Sequence, residues 1–346
     1  MKDNSLNTKI IYHPSDEDIF MAAEVIRNGG LVAFPTETVY GLGASALSSK
    51  AAEKIFAAKG RPSDNPLIIH LADPGDATRY AITSPAYDKL SRFMPGPLTV
   101  ILPKRDIIPS SVTGGLDTVA VRVPSHPIAC ALIRSAGVPI AAPSANRSGK
   151  PSCTTVEHVI QDMDGRVDVI LDGGESDVGL ESTILLPFGD HSVKLLRPGA
   201  ITVEMLEAEG FTVILDKAVT ERLADGEIPL APGMKYRHYA PEAQVILLDG
   251  DHEAVLSYMQ NRGDDCGVAL IIYEEDAEKL CGKRLKVIGK RGDSLTYAHR
   301  LFAVLRELDA DSDVKVIYAP LPAKDNLGLA LYNRLMKAAG YSVKTV

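Results

Sequence analysis

The sequence predicts an α/β protein built from two domains. Short β-rich runs alternate with stretches of helical periodicity along most of the chain, a pattern typical of a sheet covered by helices. The chain has 346 residues, which is more than one hydrophobic core usually organises. A stretch rich in proline, glycine and charge interrupts the alternation. We therefore predict a first domain over residues 1–215, a linker over 216–243 and a second domain over 244–346.

The elements of the first domain are short and closely spaced. Asp16–Asn28 has apolar residues at helical spacing, and the Gly29-Gly30 pair behind it is typical of a helix C-cap. The same periodicity predicts further helices at 50–59, 127–136 and 155–161. Apolar, β-branched runs bounded by proline or glycine predict strands at 31–35, 67–71, 98–102, 118–123, 140–142 and 169–171.

The second domain alternates more regularly. Its strands are predicted at 245–248, 268–273, 285–288 and 314–318. Its helices are predicted at 251–261, 275–281, 294–309 and 326–339. Strand–helix alternation at this spacing is typical of a small parallel, Rossmann-like sheet.

Composition excludes several classes of protein. The net charge is −8, so the chain lacks the basic surface on which nonspecific nucleic-acid binding depends, and any RNA contact is expected to be weak or transient. Tryptophan is absent and aromatic residues are scarce, so few side chains can stack on single-stranded bases. Four scattered cysteines suggest neither a zinc knuckle nor a disulfide framework. No apolar run is long enough for a membrane span, and we expect a cytoplasmic protein.

The most informative segment is residues 59–70. Lys59 and Arg61 flank a glycine at the end of a predicted helix, and a β-rich run then leads to His70. Two cations beside a backbone that a ligand can approach suit a phosphate or a carboxylate. Cations in a last helical turn also stabilise the helix dipole without any ligand. His70 is open to a similar choice between a ligand contact and a hydrogen-bonded core histidine.

Two arginines lie on predicted strands. Arg122 is inside the alternating run 118–123, and Arg197 follows Leu195-Leu196. An arginine in such a position is rarely buried without an anionic partner. Either a protein carboxylate or a substrate carboxylate supplies that partner, and the pattern alone does not decide between them.

Polar loops follow two of the strands. The hydroxyls of Thr36, Thr38 and Tyr40 either line a pocket at the end of a strand or satisfy local backbone groups. The run Gly41–Ala46 fits a dinucleotide-binding pattern only weakly, because no acidic residue ends a second strand at the expected interval. The 142–152 loop has Ser144 where a phosphate-binding loop needs its first glycine, so it is not one of that kind.

Taken together, these segments resemble the threonylcarbamoyl-AMP synthase family, which has a YrdC-like fold, in its longer two-domain form. The resemblance covers most of residues 35–241, in the order of the family, and residues from 244 resemble its accessory C-terminal domain. The matching motifs are PTETVYGLG (35–43), KGRPSDNPLIIH (59–70), PGPLT (95–99), TVAVRVPSHP (118–127), APSANRSGKPS (142–152), EST (181–183), LRPGAIT (196–202) and APGMKYRHYAP (231–241). The resemblance implies a YrdC-like twisted open sheet followed by a smaller Rossmann-like α/β domain.

The resemblance also implies an activity. The family makes threonylcarbamoyl-AMP and pyrophosphate from L-threonine, bicarbonate or CO₂, and ATP, for the N6-threonylcarbamoyladenosine modification of tRNA. The product would pass to the tRNA threonylcarbamoyl-transferase machinery. Magnesium is expected with ATP, ligated mainly by phosphate oxygens and water, since no dedicated protein cage is visible.

Site residues follow from the same resemblance, motif by motif. L-Threonine would be bound by Thr38, His70, Arg122, Ala142 and Ser182. ATP would be bound by Arg61, Asn65, Thr118, Ser144, Ser152, Arg197 and Tyr236. Lys59 and Arg61 would form the catalytic basic pair that neutralises the phosphates. The chain departs from the usual pattern at Met94, Cys153 and Leu186, none of which is an inferred contact.

Two other functions compete with this interpretation. A noncatalytic RNA-binding or ribosome-assembly module of YrdC-like fold is disfavoured by the acidic charge and the scarce aromatics. The carbamoyl-transfer domain of hydrogenase-maturation proteins is similar in fold, but the cysteine pairs that those proteins carry are absent here.

The predicted linker carries an unusual run of residues. Lys235-Tyr236-Arg237-His238-Tyr239 places cationic and aromatic side chains between two domains. We expect this segment to act as a lid over the nucleotide, because an adenylated carbamate needs protection from water. The alternative is a tether whose aromatics pack on a domain surface.

Overall fold

The computed structural model describes residues 6–222, 229–231 and 239–346. These divide into two units, the first holding residues 6–148, 152–222 and 229–231 and the second holding residues 149–151 and 239–346. Residues 223–228 and 232–238 of the segment predicted as a linker lie outside the described residues, so its boundaries stay a prediction. Within the described part of the chain, no helix is both long and apolar enough to cross a bilayer.

The first unit is built on an eleven-stranded mixed sheet. Its strands are β1 Lys9–Ile11, β2 Val32–Phe34, β3 Gly41–Ser45, β4 Ile68–His70, β5 Leu98–Pro103, β6 Thr118–Arg122, β7 Ile140–Ala141, β8 Val169–Leu171, β9 Thr183–Pro187, β10 Ser192–Arg197 and β11 Thr212–Leu215. Their spatial order is β1-β8-β2-β3-β7-β4-β6-β5-β9-β10-β11. Parallel pairs such as β4–β6 and β5–β9 alternate with antiparallel pairs such as β5–β6 and β9–β10.

Helices of the first unit begin and end at residues that the sequence marks. They are α1 Asp16–Arg27, α2 Ser49–Lys59, α3 Pro85–Leu90, α4 Ser110–Thr113, α5 Pro127–Ala136, α6 Val156–Met163 and α7 Val203–Ala208. At the start of α1, Ser15 and Asp18 form a reciprocal capping box. Gly60 ends α2 in the left-handed region at φ 62°, which only glycine adopts readily, and so directs Arg61 away from the helix.

One strand lies where the sequence analysis expected a loop. β3 occupies Gly41–Ser45, a stretch that its two glycines make a poor strand by propensity. A Cβ on Gly43 would be 2.7 Å from both Ile140 and the ring of Phe34. The glycines therefore allow β3 to pack against Phe34, and they do not form a dinucleotide-binding loop.

The second unit is a parallel α/β sheet, as predicted. Its strands are β12 Gln244–Asp249, β13 Val268–Tyr273, β14 Leu285–Gly289, β15 Val316–Pro320 and β16 Val343–Thr345, in the order β14-β13-β15-β12-β16. Its helices are α8 His252–Arg262, α9 Ser294–Asp309 and α10 Gly328–Ala338. All four strand pairs are parallel, which confirms the Rossmann-like α/β prediction.

The helix predicted at 275–281 is wrong. Only a single 3₁₀ turn, Glu274–Asp276, forms there, followed by turns up to Gly282 at φ 86°. Tertiary contacts hold the turns: Leu280 is buried in the core of the second unit, and Oδ1 of buried Asp276 lies 3.2 Å from Nε2 of His252 and 3.4 Å from Nη2 of Arg291. The stretch instead closes a short connection between neighbouring strands β13 and β14.

Candidate functional site

Strand register places most of the predicted site residues on one face of the first sheet. His70 on β4 lies opposite Arg122 on β6, and Arg122 lies opposite Thr99 on β5. Thr99 in turn lies opposite Ile184 on β9, which pairs with Arg197 on β10. Side chains alternate between the two faces along a strand, so a residue two or four positions from one of these paired residues lies on the same face of the sheet. The predicted site residues on this face are His70, Thr118, Arg122, Ala142, Ser144, Ser182 and Arg197.

The anionic partner of Arg122 is a protein carboxylate. Its Nη2 donates to Oε1 of Glu37 at 2.8 Å, and both side chains are about 95% buried. Oε2 of Glu37 also accepts from the backbone N–H of Ser125. The sequence left open whether a protein or a substrate carboxylate pairs with Arg122, and the structure shows a protein carboxylate. Nε of Arg122 is nevertheless buried without a hydrogen-bond partner among the described residues. The guanidinium therefore keeps one donor available on the shared face.

His70 is held as a neutral imidazole. Its ring packs edge-on against Phe34 at 6.2 Å between centroids, and Nδ1 is buried with no hydrogen-bond partner in the described part of the chain. Burial, together with the neighbouring charge of Arg122, lowers the pKa of His70 to about 3. A neutral ring with an unpartnered nitrogen is not a fully hydrogen-bonded core histidine, and it suits a polar ligand.

Ser182 forms hydrogen bonds to Thr99 on β5 and to Arg197 on β10. Its hydroxyl lies 2.7 Å from the hydroxyl of Thr99, while Nη2 and Nε of Arg197 donate to the Ser182 hydroxyl and carbonyl at 3.1 and 3.0 Å. Gly199 makes this arrangement possible, because a Cβ there would be 2.5 Å from the backbone nitrogen of Thr183. Both arginines on the face are thus fixed in position by hydrogen bonds.

Lys59, at the end of α2, forms hydrogen bonds to the 142–152 loop. Its side chain is almost fully buried, and its ammonium donates to the backbone carbonyls of Ser144 and Asn146. Ser148 donates its N–H back to the Lys59 carbonyl. Lys59 therefore holds the 142–152 loop against the end of α2, a structural contact that the expected catalytic role did not include.

Arg61 and Asn65 lie just before β4. The guanidinium of Arg61 reaches the carbonyls of Asn65 and Pro66 at 3.4 and 3.3 Å. The side chain of Asn65 is buried, yet neither its oxygen nor its nitrogen has a hydrogen-bond partner among the described residues. A buried amide without partners costs free energy that a ligand contact would recover.

Hydroxyls of the 35–43 segment are largely engaged by the protein. Thr36 donates to the carbonyl of Val39 and lies 2.8 Å from the hydroxyl of buried Thr38. Tyr40 donates to the carbonyl of Gly174 at 2.7 Å, and burial raises its pKa. Local hydrogen bonding, the alternative left open by the sequence, is what the structure shows for Thr36 and Tyr40.

The remaining predicted site residues are Ala142, Thr118, Ser152 and Tyr236. Ala142 is buried and donates its N–H to the Ile68 carbonyl, Thr118 is half-buried at the start of β6, and Ser152 donates to the buried carboxylate of Glu181. Tyr236 lies outside the described residues, and of the run 235–239 only Tyr239 is described. The ring of Tyr239 stacks on Phe302 of the second unit at 5.2 Å, in keeping with the tether alternative.

Sequence reasoning missed Glu37, Thr99 and Glu181. All three lie within motifs quoted for the family resemblance, but nothing in the sequence distinguishes them from the threonines, prolines and serines beside them. Only the pairing of strands shows that Glu37 meets Arg122 and that Thr99 meets Ser182. Among the described residues, no group of three or more His, Cys, Asp or Glu could hold a metal ion.

Comparison with known proteins gives a consistent result over nearly the whole chain. Residues 24–199 match the Sua5/YciO/YrdC family, described as telomere recombination, and residues 201–340 match the threonylcarbamoyl-AMP synthase C-terminal domain. Threonylcarbamoyl-AMP synthase of Bacillus subtilis is 46% identical over 332 residues, covering 94% of each chain. That of Pyrococcus abyssi is 44% identical over 338 residues, covering 94% of this chain and 95% of its own.

Solved structures agree. The crystal structure of P. abyssi Sua5 complexed with L-threonine has a TM-score of 0.87 and 42% identity, covering 98% of this chain and 99% of that one. The Escherichia coli YciO structure matches 56% of this chain with a TM-score of 0.50 and 25% identity. The predicted family resemblance and the predicted fold class are confirmed.

Proposed function

The chain belongs to the threonylcarbamoyl-AMP synthase family, and from this premise we propose how one face of its first sheet carries out the reaction. The enzyme joins L-threonine, bicarbonate or CO₂ and ATP into threonylcarbamoyl-AMP and releases pyrophosphate. The observation that carries the site assignment is the set of buried, unpartnered polar atoms of Asn65, His70 and Arg122, two of which face the same side of the sheet.

L-Threonine would lie against Arg122 and His70. The unpartnered Nε of Arg122 can donate to the amino-acid carboxylate while Nη2 stays bonded to Glu37. Neutral His70 can accept a hydrogen bond at Nδ1 from the threonine hydroxyl or amine, depending on its tautomer. Thr38, Ala142 and Ser182 would complete the pocket.

The carbamate and the triphosphate are both anionic, so their approach needs fixed positive charge. The carbamate oxygen attacks the α-phosphorus, a new P–O bond forms, and the bond to the leaving pyrophosphate breaks. Arg61 and Arg197 would neutralise the charge that develops on the phosphate oxygens. Lys59 would add its charge while holding the loop that carries Ser144, and Asn65, Thr118, Ser152 and Tyr236 would complete the ATP site.

Magnesium would enter with ATP. The predicted ATP contacts include no Asp or Glu, the side chains through which proteins most often ligate Mg²⁺. The ion would therefore be held chiefly by phosphate oxygens and water, and its chemistry would be to reduce the negative charge of the triphosphate. The product would then pass to the machinery that modifies tRNA.

Isotope exchange between ATP and pyrophosphate tests the assignment. We expect exchange to depend on both L-threonine and bicarbonate, and to fall about ten- to hundredfold in Arg61→Ala, because a charge-assisted contact of roughly 1.5–3 kcal/mol is lost. Arg92→Ala, at a residue whose side chain is 70% exposed, is the matched control. Wild-type exchange in folded Arg61→Ala would refute the role of Arg61.

Substrate choice tests the threonine pocket separately. Valine should support far less exchange than threonine, because a pocket that pairs the hydroxyl is left with an unmade hydrogen bond. Serine, which lacks only the methyl group, should be disfavoured less. Equal exchange with valine and threonine would show that the hydroxyl is not recognised.

The lid also stays a proposal, and it rests on the sequence of residues 231–241. ATP and L-threonine together should protect this segment from protease, and Tyr236→Ala should weaken ATP binding. Protease cleavage that is unchanged by both substrates would favour a tether.

A further inference from the structure

A cavity of about 520 Å³ lies at the carboxyl edge of the parallel sheet in the second unit. It is bounded by the loop after β14, the start of α9, and the loop between β15 and α10, with Tyr273 at the end of β13 on its wall. Open parallel α/β sheets bind their ligands at this edge. The size falls within the roughly 300–1,000 Å³ that small-molecule sites occupy.

Tyr297, on the first turns of α9, lines the cavity and carries an unexplained polar atom. Its side chain is almost fully buried, and its hydroxyl has no hydrogen-bond partner among the described residues. Burial raises the pKa of this phenol, so it remains a potential donor. Buried hydroxyls normally have a partner, and a ligand in the adjoining cavity would supply one.

Lys290 and Arg291, which follow β14, differ in their contacts with the protein. Arg291 is engaged by the protein, since its Nη2 lies 2.6 Å from Nε2 of His252 and 3.4 Å from Oδ1 of Asp276. Lys290 is exposed and makes no ion pair within the described ranges. Its ammonium attracts the nearby carboxylates of Asp293 and Glu275 without an ion pair to either, and it can still meet an anion at the rim of the cavity.

The other walls differ in chemistry. Leu327 and Leu331 give an apolar surface next to the ring of Tyr297, whereas Asp325 presents an exposed carboxylate. A planar base suits the apolar and aromatic wall, sugar hydroxyls suit a carboxylate, and a phosphate suits Lys290. A nucleoside phosphate combines these three groups within one molecule of suitable size.

We propose that this cavity is a second small-molecule site, which binds a nucleoside phosphate independently of the ATP used by the first unit. The phosphate would meet Lys290, the base would lie against Tyr297 and Leu331, and the ribose would lie near Asp325. Such a site would allow nucleotide levels to influence the enzyme without competition at the reaction site.

The absence of native tryptophan allows a selective reporter. Leu295 lies at the cavity with 75% of its surface exposed, so Leu295→Trp in the full chain introduces one tryptophan there. We expect AMP to change its fluorescence saturably, and adenosine or inorganic phosphate to bind more than tenfold more weakly. Val343→Trp is the control. It lies on β16, the edge strand farthest from β14, and its fluorescence should not respond to AMP.

Second substitutions in the Leu295→Trp chain test the contacts. Tyr297→Phe and Lys290→Ala should each weaken AMP binding about tenfold. Tyr297→Phe removes an unpartnered hydroxyl and should not lower thermal stability. Tyr318→Phe, a matched change in the same unit outside the cavity lining, should bind AMP normally.

Three results obtained at the cavity itself would overturn the proposal. They are no saturable response to AMP, equal affinity of Tyr297→Phe and Tyr318→Phe, or equal binding of adenosine and AMP. Arg61→Ala in the first unit should leave the fluorescence response unchanged. If Arg61→Ala abolished the fluorescence response to AMP, the signal would come from the reaction site, and the proposal of a second site would be wrong. If Arg61→Ala abolished only catalysis, the result would concern the proposed function and not the second site.

Discussion

Acidification should destabilise the first unit through His70. The unfolded chain binds a proton on this residue near the ordinary pKa of 6.5, whereas the folded protein does so only near 3. The unfolded state therefore binds more protons between these values, so the contribution of His70 to stability is complete above 6.5 and is lost as the pH falls towards 3. Between about pH 7 and about pH 5 the loss from this group alone amounts to roughly 2 kcal/mol.

Urea unfolding of the wild-type sequence and of His70→Gln, each at both pH values, isolates this contribution. Phe20→Trp, at an exposed position on α1, supplies a fluorescence signal from the first unit alone. The free energy of unfolding should fall by about 2 kcal/mol more in the His70 chain than in His70→Gln. His13→Gln, at an exposed histidine, should behave like wild type. Equal pH dependence with and without His70 would refute the idea that burial keeps this ring neutral.

Three further substitutions test contacts of the same unit. Glu37→Gln should lower the free energy of unfolding by about 3–5 kcal/mol, because it leaves Arg122 buried without its counterion, and L-threonine should stabilise this variant more than wild type in thermal unfolding. Gly199→Ala should lose exchange activity and stability together, since its Cβ would meet the backbone of Thr183 at 2.5 Å; a fully active protein would contradict this. Lys59→Met should destabilise the unit by about 1–3 kcal/mol in urea unfolding because carbonyls of the 142–152 loop lose their donor, and an unchanged midpoint would argue against that role.

Local signals predicted most of the fold because they depend on neighbours in sequence. Capping residues marked the start of α1, and glycine marked the end of α2. β3 and β16 were not predicted, since glycine-rich or short polar strands are stabilised by their partners more than by their own propensity. The α-helix expected at 275–281 does not form, because the buried contacts of Asp276 and Leu280 outweigh the local helical pattern.

The candidate site was predicted in composition but not in its internal contacts. Motif resemblance assigned Arg122 and Ser182, but the sequence could not show which carboxylate neutralises Arg122 or that Ser182 joins Thr99 to an arginine. Such pairings depend on strand order, which a single sequence does not encode locally. Lys59 shows the same limit, because a cation at a helix end resembles a surface residue until the loop that it holds is in place.

The contacts that build the site also bear on synthesis of the chain. The Glu37–Arg122, Thr99–Ser182 and Lys59–Asn146 hydrogen bonds join residues separated by 85, 83 and 87 positions. Long-range contacts of this kind form late in folding, because the closure entropy of the intervening loops must be overcome first. A nascent chain on the ribosome cannot make all three contacts until Ser182 has left the exit tunnel. Termination before Ser182 would therefore leave fragments that have helices and part of the sheet but lack the contacts of Ser182 with Thr99 and Arg197.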